Sequence, residues 1–210
     1  MSVLANLGLS VQIVTVVVPV AVYFLILGLL NSRRRPQLLT GRQDFALLIV
    51  ALSPLVILPA MDFLRANPLA IAAGAVAAAA ILLAPPGGTW VIYNLHAALA
   101  REVVADALKA MGMDFVVEGG GFRLPGRDIR VELNSFSLLR NVSIRLRGGS
   151  SELSRSFHEA LSRRLAEISV PAHVMGVSLL LVATAMLAAP LVLLAGDVPE
   201  IVRVISDLLY

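Results

Sequence analysis

Residues 9–30, LSVQIVTVVVPVAVYFLILGLL, contain no charged side chain. An apolar run of this length is sufficient to cross a hydrocarbon core of roughly 30 Å as a helix, and few soluble folds can bury one. Pro19 falls inside the run, and the nearest basic residues follow it at 33–35 rather than precede it. A cleavable signal needs the opposite order, so the run is expected to be a retained anchor. The rest of the chain repeats the theme: mean hydropathy is +0.86 and 15% of residues are charged, against about a quarter in ordinary soluble domains.

Three further spans are expected. Residues 45–64, FALLIVALSPLVILPAMDFL, carry Pro54 and Pro59, whose missing donors a membrane helix tolerates when neighbours take up the freed carbonyls. Residues 68–84 are rich in alanine, and Ala70, Gly74 and Ala78 stand four apart, a small-residue face suited to close helix packing. PPGG at 85–88 ends that segment. Residues 171–196 form the fourth span. The tail, 197–210, reads as a separate capped helix with Asp197 at the cap and Glu200 three residues on. Its apolar side, Ile201, Val204, Ile205, Leu208 and Leu209, is expected to lie in the interface or on a partner.

Residues 89–170 differ in kind. TWVIYNL has strand composition. LHAALAREVVADALKAMG places Leu95, Leu99, Val103, Ala107 and Met111 on one helical face, with Gly112 as its stop. DFVVEGGGFRLPG reads as two short strands around three glycines. Ile129, Val131 and Leu133 alternate with polar residues, as do Val142, Ile144 and Leu146, which is the pattern of a half-buried sheet. Residues 151–168 form a second amphipathic helix with Leu153, Phe157, Leu161, Leu165 and Ile168 inward. The predicted fold is therefore an α-helical membrane protein with four transmembrane helices. A small cytoplasmic α+β domain, in the order β-α-β-β-β-α, is inserted between helices 3 and 4.

The charges set the predicted orientation. Lys and Arg number 15 on the side holding the 31–44 loop and the 89–170 domain, and 2 on the other. Basic loops stay cytoplasmic, so both termini are expected outside a membrane, taken as a bacterial inner membrane. Arg33, Arg34, Arg35 and Arg42 are thus read as topology and lipid-headgroup residues. Nucleic-acid binding is not expected, because the domain balances eleven basic residues with nine acidic ones.

Little here promises catalysis. With no cysteine, thiolate chemistry and cysteine-bound metals are excluded. His96 and His173 both flank the predicted inner face, but no metal-ligand spacing accompanies them, and no cofactor is expected. EGGGF at 118–122 has consecutive glycines between strands, which suits a hairpin and not a dinucleotide loop. RGGS at 147–150 opens a helix. Arg145, Arg147, Gly148, Gly149 and Ser150 form an anion-binding candidate, beside the plainer reading of a turn capped by Ser150 or Ser151. The predicted spans hold no interior ionisable residue, which disfavours ion-coupled carriers. The expectation is a non-catalytic membrane subunit or scaffold that presents an interaction domain, contacting lipids and either other subunits or its own copies. The alternative is a homo-oligomeric channel or carrier gated by that domain.

Overall fold

The computed structural model describes residues 9–63, 73–78, 83–126 and 128–209. It divides into two units. One takes Met1–Ile26, Leu47–Leu83 and Leu179–Tyr210, and is helical wherever it is described; the other takes Leu27–Ala46 and Ala84–Ser178 and contains a sheet.

The helical unit is built from α1 (Leu9–Ser32), α2 (Gly41–Phe63), a short helical stretch at 73–78, and α5 (Val174–Leu209). The four-span expectation is corrected here. Among the described residues two helices are long and apolar enough to cross a membrane, over Ile13–Ser32 and Val174–Val192. The second predicted span falls in α2, whose first residues, with Arg42 and Asp44, belong to the sheet unit. With these charges in its first turn, α2 is not one of the two. Most of the third, 68–84, lies outside the described residues. The predicted break at Asp197 is also absent. α5 runs 36 residues without interruption, about 54 Å at ~1.5 Å per residue. The hydroxyls of Ser53, Ser178 and Thr184 donate to carbonyls three or four residues back in their own helices, a local solution for polar groups in apolar segments.

The sheet unit contains β1 (Gln37–Thr40), β2 (Thr89–Tyr93), α3 (Ala97–Ala110), β3 (Val116–Glu118), β4 (Gly121–Leu124), β5 (Ile129–Phe136), a 3-10 turn (Ser137–Leu139), β6 (Asn141–Arg147) and α4 (Ser151–Ala166). Its strand order is β1-β2-β6-β5-β4-β3, with every neighbouring pair antiparallel. A domain inserted whole between the third and fourth helices is therefore also corrected. β1 comes from the arginine loop and pairs with β2 in the register Gln37↔Tyr93 to Thr40↔Trp90. α2 and the segment after it interrupt two adjacent strands.

α3 and α4 pack on each other and on one face of the sheet. Ile129 and Val131 of β5, and Val142, Ile144 and Leu146 of β6, enter this core. Val103, Val104, Ala107 and Leu108 of α3 meet them, with Phe157, Ala160, Leu161 and Leu165 of α4. The helical faces follow the expected period, although Leu99, Met111, Leu153 and Ile168 are only partly covered. Trp90 packs on Phe157 with ring centroids 5.4 Å apart. Gly112 at φ 67° follows the end of α3, in the left-handed conformation such a stop requires. The Ser150 hydroxyl caps α4 by accepting from the Leu153 amide at 3.1 Å.

Candidate functional site

A cleft of about 570 Å³ opens where β2, the end of β6 and the start of α4 meet. Three separate segments line it: Thr40 and Arg42, then Pro86–Trp90, then Leu146 and Gly149 to His158 along one side of α4. Ser151, Ser154, Arg155 and His158 fall at i, i+3, i+4 and i+7, so one helical stripe faces the cleft. Arg42 and Arg155 are exposed and no carboxylate lines the wall. The His158 ring stacks on Trp90, with centroids 6.2 Å apart and planes at 19°. Two buried polar atoms, Thr89 Oγ1 and His158 Nδ1, have no hydrogen-bond partner among the described residues. With Leu153 capped, the amides of Ser151 and Glu152 are the orphan donors of the first turn of α4.

The opposite face of the sheet carries charge. Alternation along each strand puts Arg147, Arg130 and Arg123 outward, and register sets them directly side by side on β6, β5 and β4. All three are exposed. Arg147 pairs with Glu132 at 2.9 Å, and Arg123 approaches Glu118 at 3.9 Å. No salt bridge to Arg130 is seen among the described residues. At the β1 end this face is covered: Val91 and Tyr93 are buried, and the Tyr93 hydroxyl donates to Asp44 at the start of α2.

A third cluster ties the sheet to the ends of two helices. Asn31 and Asn94 are buried polar residues. The Asn94 amide N–H donates to Asn31 Oδ1, and Asn94 Nδ2 donates to the carbonyls of Arg33 and Pro171 at 2.9 and 3.3 Å. Val170 N–H donates to the Arg34 carbonyl, and His173 N–H to that of Asn31. At Gly176 a Cβ would stand 2.8 Å from the Asn31 carbonyl carbon, so only glycine allows this approach of α5 to α1. Burial holds the His173 pKa below its ordinary value, with the Arg140 guanidinium acting in the same direction. A histidine held neutral in the fold contributes full stability above its unfolded pKa. That contribution falls as pH drops from there towards the lowered folded value. Acidifying from about pH 7.5 to about pH 5.5, across the ordinary histidine range, should therefore lower the midpoint of thermal unfolding, and His173→Gln should lessen the drop. An equal drop in both proteins would place the acid sensitivity elsewhere.

The residues expected from sequence separate on this structure. Arg33, Arg34 and Arg35 are exposed side chains on a backbone built into the third cluster, whereas Arg42 lines the cleft. Gly149 and Ser150 also line the cleft, but Arg145 and Arg147 do not: the pleat of β6 sends both to the opposite face. Gly148 serves the backbone, with φ 77° and no room for a Cβ beside the Asp128 carbonyl. A Cβ at Gly74 would meet nothing within 4 Å among the described residues, Ala78 is exposed, and Ala70 lies outside them. The backbone of Ile201, Val204, Ile205, Leu208 and Leu209 continues α5. His96 is exposed and precedes α3. Among the described residues no three His, Cys, Asp or Glu side chains gather as a metal site. Sequence reasoning does not find Arg155, His158 or Thr89. The polar stripe 151, 154, 155, 158 following the Gly-Gly-Ser turn is the signal that could have found the first two. Comparison with protein-family models, curated proteins and solved structures finds no match.

Proposed function

We propose that this chain is a non-catalytic, membrane-anchored subunit whose open sheet face receives an acidic partner protein. α1 and α5 supply the anchor, and Arg33, Arg34 and Arg35 directly after α1 put the sheet domain on the cytoplasmic side. The supporting observation is the row Arg147, Arg130, Arg123. Like charges directly opposite weaken a sheet, and an exposed row of three is a cost that acidic groups of a partner would offset. Glu118 and Glu132 interleave with the row, which favours a patterned protein surface over a uniformly anionic lipid one.

A photoreactive residue at Asn134, exposed on the same face, tests this in native membranes. The expected product is a crosslink to an acidic segment of one partner, reduced roughly tenfold or more by Arg130→Glu and retained by Arg130→Lys. Absence of a crosslink, or one indifferent to Arg130→Glu, would overturn the proposal.

A further inference from the structure

We infer that the cleft between β2 and α4 is a binding site for a phosphate group. It lies on a different face from the arginine row and rests on separate residues. Its wall offers two cationic side chains, Arg42 and Arg155, and no acid. Neither arginine is in a salt bridge among the described residues. An arginine fork matches the geometry of phosphate oxygens. On the same wall, the glycine turn and Ser151 present backbone donors at the start of a 16-residue helix, where the helix dipole also favours negative charge.

One further feature indicates a ligand. The volume, about 570 Å³, lies in the range of small-molecule sites and exceeds what a bare ion needs. The occupant is thus a phosphate carried on a small polar body, whether a soluble phosphomonoester or the headgroup of a phospholipid. No bond is made or broken: the cleft offers donors and charge, and no nucleophile–base pair is apparent among the described residues.

Trp90, the chain's single tryptophan, lines this cleft and reports on it directly. The full chain in maltoside detergent is titrated with inorganic phosphate and with glycerol 3-phosphate at constant ionic strength, and in nanodiscs with and without phosphatidate. Trp90 emission is expected to change saturably, and chloride should leave it unmoved. Arg42→Gln and Arg155→Gln, both at exposed positions, should each weaken binding about tenfold while unfolding like the parent chain. Saturation by glycerol 3-phosphate in detergent assigns a soluble ligand; a response confined to phosphatidate nanodiscs assigns a lipid headgroup. The inference fails if no phosphate source gives a saturable response, or if both arginine variants bind as the parent does.

Discussion

Gly148→Ala is expected to destabilise the sheet domain by about 3–5 kcal/mol, near the upper end for single substitutions. Two costs combine. The residue sits at φ 77°, where an L side chain costs roughly 1–2 kcal/mol. A Cβ there would also stand 1.9 Å from the Asp128 carbonyl oxygen, and that oxygen is backbone, so the chain entering β5 must shift. Gly126→Ala separates the two terms. Its φ is 75°, yet nothing among the described residues lies within 4 Å of the added carbon, so it should cost only about 1 kcal/mol. Urea unfolding followed through Trp90 measures both. Equal losses would mean that the close approach at Gly148 carries no weight. The comparison also bears on the cleft, since Gly148 directs the chain from β6 into the turn that starts α4.

The alternation that reveals β5 and β6 is visible in sequence because burial on one face forces period two, and Val131 and Ile144 obey it. Gly112 and Ser150 are equally legible, since a helix end needs a left-handed residue or a side-chain acceptor close in sequence. β1 is not. Four residues, two of them apolar, carry no measurable period, and their partner strand lies beyond the whole of α2. Pairing supplied by a remote strand leaves no local trace. The same loop reads as a topology signal because its four arginines dominate it, although its backbone carbonyls at Arg33 and Arg34 are acceptors inside the domain. Sequence misgroups the cleft for a related reason. Closeness along the chain joins Arg145 and Arg147 to the turn, but successive strand residues point to opposite faces. The arginines that do line the cleft are Arg42, from the start of α2, and Arg155, one turn into α4.

Asn94→Leu should cost about 2–4 kcal/mol, through loss of two part-buried hydrogen bonds and strain at a positive φ. Asn94 is 1% exposed. Its side-chain amide serves the carbonyls of Arg33 and Pro171 through part-buried bonds, and each bond lost costs about 0.5–1.5 kcal/mol. Its φ of 57° adds strain for a branched apolar residue. Asn94→Gly accepts the backbone angle but supplies no donor, so it should fall between the parent and Asn94→Leu. Asn31→Ala removes the acceptor for the Asn94 amide and the donor to the Leu27 carbonyl. Because the two asparagines share a hydrogen bond, the double variant should lose less than the sum of the single losses, by roughly 0.5–3 kcal/mol. Strict additivity would show that they act separately. Limited proteolysis gives the structural counterpart: with Asn94 replaced, cutting after Arg33, Arg34 and Arg140 should speed up before the core around Trp90 opens, because Asn94 joins the arginine loop and the approach to α5 to the end of β2. If cutting at these arginines and loss of Trp90 burial rise together, the cluster is part of the domain's single cooperative core and does not act as a separate clasp on the two helices.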